Sequence, residues 1–312
     1  MNSVLLKSSP SLCQTLEGPK KAGLNRVKWD MRYDSPRVIA LRTKAPDNPH
    51  IWDEPRFRDA DSRPITHWGS KPAEVGPIVA PGKYTVRIKV DGQMQSQPLT
   101  VVRDPRSPGS DADIEQSVAT LLRIRDDISR TSDTVNNIEW LRKQLEVIEA
   151  ILRPPKKAET NKEASGNDSD EDEEPNIASA PPKPLSDAQK KHREELLKGA
   201  EELDGKVLAI EHRLVSQALL NSDDKYFVEP YQVYLNLIWL NAEVGTGGGD
   251  VAGSANFAPT QTQMGLLQGY ESELSSVETD YQKLLKEALP AFNRALENSN
   301  LGPLVASAEP HS

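Results

Sequence analysis

A chain of 312 residues with 38 basic and 47 acidic side chains, net charge −9, is longer than one hydrophobic core usually organises and points to two domains. The negative balance argues against a nucleic-acid backbone or an anionic membrane surface as main partner, and a single cysteine, Cys13, excludes an intrachain disulfide or a thiolate metal cluster. No stretch approaches the ~20 apolar residues of a membrane helix, so no membrane insertion is expected.

Residues 1–17 read as a flexible leader. The apolar patch from Val4 to Leu6 is shorter than the ~7–15 residues of a signal-peptide core, so as written the chain carries no export signal and is cytoplasmic if freestanding. From residue 18 to 105 the pattern is that of a small antiparallel β-sandwich. Leu24, Val27, Trp29 and Met31 suit a strand buried on one face, and the same applies from Val38 to Arg42. The strongest β signal is APGKYTVRIKVDGQMQSQPLTVV. Tyr84, Val86, Ile88 and Val90 share a face, Asp91-Gly92 makes a tight turn, and Leu99 and Val101 return on the second strand. Between these strands the segment 45–77 is a long loop rich in proline and charge. Loops of that length in compact domains are often functional, so Trp52, Phe57 and Trp68, its large apolar anchors, are candidate docking aromatics. For Trp29, Tyr84 and Trp68 a core role competes with docking, since aromatics at alternating positions usually fill sandwiches.

Beyond Asp104-Pro105 the period changes to that of helices, and residues 110–153 and 185–298 read as a long antiparallel helical bundle. Ser110 and Asp113 form a capping pair before a stripe that runs from Ile114 to Leu152 and stops at Pro154-Pro155. A second helix is expected from about Ser186 to Leu220, a short and nearly all-apolar one after Pro230, and a third long one from Thr260 to Leu296, kinked by Pro290. The acidic linker 156–184 cannot bury enough apolar surface to offset the entropy of ordering and is expected to be disordered, as is the tail 299–312. The overall fold class is α+β with two domains.

No constellation for chemistry emerges, and no catalytic, cofactor-binding or metal residue is assigned. The histidines His50, His67, His192, His212 and His311 lack partners at ligand spacing. The acidic run Asp168–Glu174 lacks the central glycine of an EF-hand loop. Gly247-Gly248-Gly249 is not followed by lysine and a hydroxyl residue, as a phosphate loop requires. Asp30 and Asp104 read as turn caps, and Glu139-Trp140 as a surface charge beside a core aromatic.

Four blocks in order, GLNRVKWDMRY, VGPIVAPGKYTVRIKVDGQMQSQPLTVVRDPRS, IRDDISRTSDTVNNIEWLRKQL and FAPTQTQMGLLQGYESELSSVETDYQKLLKEALPAFNRAL, resemble the C-terminal region of bacterial sortilin-like proteins with BNR repeats, often labelled glycosyl hydrolases. The first two also resemble the immunoglobulin-like domain of flagellar hook-capping proteins, with Trp-Asp followed by Pro-Gly-x-Tyr-x-Val. The resemblance covers roughly residues 18–298. It implies an Ig-like sandwich, a secreted or periplasmic location, and a preceding β-propeller that would hold any sialidase-like site. The Asp-box repeats of that propeller are not in this sequence, so no catalytic residue carries over. Three functions are in view: a non-catalytic interaction module whose protein partner is a β-propeller, a part of a glycosyl hydrolase completed by that propeller, and a self-assembling homo-oligomeric scaffold.

Overall fold

In the computed structural model, residues 3–8, 12–19, 21–45, 47–65, 74–153, 185–221, 228–246 and 257–307 are described. They form an α+β chain in which long helices share space with small antiparallel sheets. The four-stranded sheet has the order β2-β1-β5-β6, from β1 (Ser3–Ser8), β2 (Leu12–Glu17), β5 (Gly82–Val90) and β6 (Gln93–Val101). The hairpin β5–β6 closes through Asp91 and Gly92 at φ 47° and 84°, the left-handed pair that matches the twist of the flanking strands. A two-residue ribbon pairs β3 (Ala40–Leu41) with β4 (Arg63–Pro64).

Several expectations are corrected. The leader is not loose: β1 lies between β2 and β5, because an extended β5 offers a backbone edge that a strand-forming Val-Leu-Leu segment can pair with. Residues 24–31 form no strand. Leu24 is almost fully exposed, and Asn25 folds its side chain onto the carbonyls of Lys21 and Gly23, a local turn that competes with extension. What pairs instead is the next stretch, where Tyr33 N–H donates to Pro77 O at 2.9 Å and Val79 N–H to Met31 O at 2.8 Å. This close approach requires Gly76, since a Cβ there would lie 1.9 Å from Tyr33 O.

The ribbon does not face the sheet as a second sandwich layer. Its Ile39, Leu41 and Ile65 join the helical core, whereas Tyr84, Val86 and Val101 of the sheet pack with Trp29, Tyr33, Val79 and the first turns of α1. Trp29 and Tyr84 meet with ring centroids 5.8 Å apart, so both are core aromatics.

The helices are α1 (Asp111–Leu152), α2 (Asp187–Leu214), α3 (Gln217–Leu220), α4 (Gln232–Asn241), which continues into a π-helical turn at Ala242–Thr246, and α5 (Gln261–Glu297). Capping boxes start the three long ones, Ser110 with Asp113, Ser186 with Gln189 and Thr260 with Gln263. The second expected helix breaks at Val215, whose extended backbone lets Ser216 cap α3. At 42 residues α1 is about 63 Å long. It buries residues around much of its circumference, including Ser129, Thr131 and Thr134, whose hydroxyls donate to carbonyls four residues back.

Ion pairs fix the direction of the partners. Arg123–Glu271 and Arg130–Glu278 share an offset of 148 residues, so α1 and α5 run parallel. Arg142–Asp204 and Arg153–Glu201 show α2 running antiparallel to α1. The tail is a further correction. Leu304 is buried, Asn293 holds its N–H and C=O at 2.8 and 3.0 Å, and Gln144 does the same for Val305, because a side-chain amide can pair with a backbone amide as a strand would. Residues 308–312, the linker 156–184, Trp68 and residues 247–256 with their glycine triplet lie outside the described residues.

Leu304→Ala should lower unfolding stability by at least ~2 kcal/mol in urea denaturation, the usual cost of truncating a core leucine. A disordered tail would give no change.

Candidate functional site

Two places on the molecule concentrate unusual chemistry. The first is buried. The segment 37–44 is laid along α1, and α1 side chains accept from its backbone amides: Ser129 Oγ from Arg37, Asn136 Oδ1 from Ala40 at 2.7 Å, Glu139 Oε2 from Arg42 and from Thr43 at 2.8 Å, and Glu146 Oε1 from Lys44 at 2.8 Å. The seven-residue steps from 129 to 136 and from 139 to 146 put these acceptors along one side of the helix. Thr43 Oγ1 donates to Glu139 Oε1 at 2.7 Å, and Trp52 braces the strap by donating to Thr43 O at 3.1 Å.

Glu139 is therefore no surface charge: it has no solvent exposure. Arg142 donates at 2.8 Å to Glu211, which is also wholly buried, and at 3.0 Å to Asp204. Arg63 enters from β4 and donates to Leu220 O. Burial opposes the charge of Arg142, but Glu211, Asp204 and Glu139 outweigh it and hold the guanidinium charged. Burial pushes the Glu211 carboxyl well above its ordinary range, Glu139 pushes it further, and Arg142 pulls it back. Oε1 of Glu211 is buried without a donor, and Glu139 becomes its hydrogen-bond partner when one of the two carboxyls carries a proton. Burial and Arg142 also lower the pKa of neighbouring His212. These groups hold the strap and helices together, and the cavity beside them is about 10 Å³.

The second place is open. A groove of about 190 Å³ lies where the sheet meets α1, with Met31, Ile78, Pro81, Val102, Ile114 and Val118 in its lining. Val102 is 78 % exposed and Met31 49 % exposed, and Met31 holds φ at 59°, a conformation that costs energy for a residue with a side chain. The charged rim is already engaged: Arg103 pairs with Asp111 at 3.0 Å and Asp104 with Arg106 at 3.1 Å. The groove thus has an apolar floor inside a rim of paired charges. Among the described residues no group of three or more His, Cys, Asp and Glu side chains could hold a metal, and no helix is long and apolar enough to cross a membrane.

Trp52 and Phe57 are not part of this groove. Trp52 is half-buried against Thr43, Phe57 is half-buried beneath the Arg56 guanidinium at 4.5 Å, Ile51 is buried, and Ile65 joins the helical core. The sequence reading missed Val102, whose signal is a second consecutive valine at a strand end. It also missed Met31, whose exposure follows only from where residues 77–79 pair. No protein-family model, no curated protein and no solved structure matches the chain.

Glu139→Ala should destabilise the fold by about 3–5 kcal/mol, because it strands Arg142 and the strap amides. Glu211 acts in the opposite sense with pH. Its folded pKa lies above the unfolded one, so its contribution is complete below the ordinary glutamate range and is lost as pH rises through the shifted value. Glu211→Gln should flatten the fall in stability of the parent above that range, read from urea midpoints across pH. An unchanged profile would place the shared proton elsewhere.

Proposed function

We propose that the chain is a non-catalytic interaction module, the C-terminal part of an exported sortilin-like protein, that docks a β-propeller through the apolar groove between sheet and α1. The observation that carries this reading is the exposed apolar floor of Met31, Ile78 and Val102 inside a rim of already paired charges. The resemblance of the four sequence blocks supplies the partner class. In this reading the sheet is an Ig-like unit that uses the first turns of α1 as its second layer, and the long helices are an antiparallel bundle that spaces it from whatever lies beyond. Trp52, Phe57 and Trp68 are a separate contact point on the excursion, tested by alanine at each.

The test is calorimetric titration of the chain with the isolated propeller of a sortilin-like BNR protein. Saturable binding is expected, weakened at least tenfold by Val102→Asp, a change equivalent to about 1.4 kcal/mol or more. Val102 is exposed enough for that substitution to leave the fold intact. Absence of binding overturns the reading, and hydrolysis of a sialoside or aryl glycoside by the chain alone would replace it with the glycosyl hydrolase alternative.

A further inference from the structure

The charge of the chain is divided. Residues 1–109 carry 18 Lys and Arg against 11 Asp and Glu, net +7, while residues 110–312 carry 20 against 36, net −16. On β5 side chains alternate between faces, and Tyr84 and Val86 take the inner one, so Lys83, Thr85, Arg87 and Lys89 take the outer one. Lys83 and Lys89 are exposed and Arg87 is half-buried. Among the described residues none of these three cations has a carboxylate within ion-pair distance, although most arginines of the helices do.

The chain holds one segment that matches this row. Asp168, Asp170, Asp172 and Glu174 fall at alternate positions. An extended chain therefore repeats their carboxylates about every 7 Å, the same repeat as the outer row of β5. Both ends of the stretch that carries the segment are tethered at the end of α1 away from the sheet. Ile114, Val118 and Leu122 lie beneath the sheet, and from Leu122 to the end of α1 at Leu152 is 30 residues, about 45 Å. Arg193 of α2 donates to the carbonyls of Ile151 and Arg153, so the start of α2 at Asp187 lies beyond the end of α1. Only 11 residues join Glu174 to Leu185, at most about 40 Å when taut, before the thickness of the sheet is crossed.

We propose that the outer face of β5 docks the acidic segment 168–174 of a second copy of this chain, so that copies associate through opposite charges. This surface is on the face of the sheet opposite the apolar groove, and the association is independent of propeller binding.

Sedimentation equilibrium of the full chain over a range of concentrations, at 50 and 500 mM salt, tests it. The mass should rise reversibly with concentration at low salt and return to the monomer at high salt, since the screening length falls from about 14 Å to about 4 Å between these strengths. The triple variant Lys83→Glu, Arg87→Glu, Lys89→Glu should associate at least tenfold more weakly. Mixing it with the variant Asp168→Lys, Asp170→Lys, Asp172→Lys, Glu174→Lys should restore the association. Monomer at every concentration overturns the proposal, as does undiminished association of the triple variant. Loss of association in Val102→Asp with the triple variant unaffected would assign the contact to the groove and overturn it as well.

Discussion

The carboxylate of Glu139, buried in the middle of α1, is the interaction on which the rest of the arrangement depends. Its two oxygens collect the backbone amides of Arg42 and Thr43 and the Thr43 hydroxyl, while Arg142, one turn on, carries the compensating charge to Glu211 and Asp204 on α2. One cluster thus joins three parts of the chain that are distant in sequence. Desolvating two glutamates is costly, and the cost is met only because nearly every lone pair finds a donor and the Glu211 carboxyl is driven toward its neutral form. Charge of this kind contributes little net stability over an apolar core of the same size, but it permits few alternative registers, so the strap can lie on α1 in one way.

From that clamp the architecture follows outward. With residues 37–44 held on α1, the segment before them is drawn alongside residues 76–79, where Gly76 allows the backbones to touch. The sheet that follows is left over the first turns of α1, covering only one end of its apolar face. Ile88 and Val90 at the far end of β5 stay partly exposed, and β6 is exposed along nearly its whole length as an edge strand. The groove is the seam where this partial cover stops. The excursion is tied into the fold at two points, with Ile51 buried and Ile65 in the helical core.

Surface charge is organised on the same plan. Along the helices arginines face glutamates across α1, α2 and α5 and fix relative direction, each exposed pair contributing at most about 1 kcal/mol but all reinforcing one register. The sheet carries cations that have no such counterpart among the described residues. The basic and acidic excess thus fall in different regions of the chain, with net +7 over residues 1–109 and net −16 over residues 110–312.

Local features were legible in the sequence wherever the physics is local. The hairpin around Asp91-Gly92, the three capped helices and the apolar stripes of α1, α2 and α5 follow from short-range dihedral preference and periodicity, and the α+β class follows from them. What depended on a distant partner was not legible. Glu139 looks like any helix-surface glutamate until Thr43 and Arg142 surround it. Leu304 looks like tail until Asn293 receives its backbone. The leader looks loose until β5 presents an edge. The sequence by itself determined the local elements, the β5–β6 hairpin and the capped helices; only the tertiary structure decided whether the leader pairs as strands, which charges are buried and which apolar groups remain on the surface, because pairing and burial are properties of the neighbours a residue acquires across the fold and are not encoded in its immediate flanks.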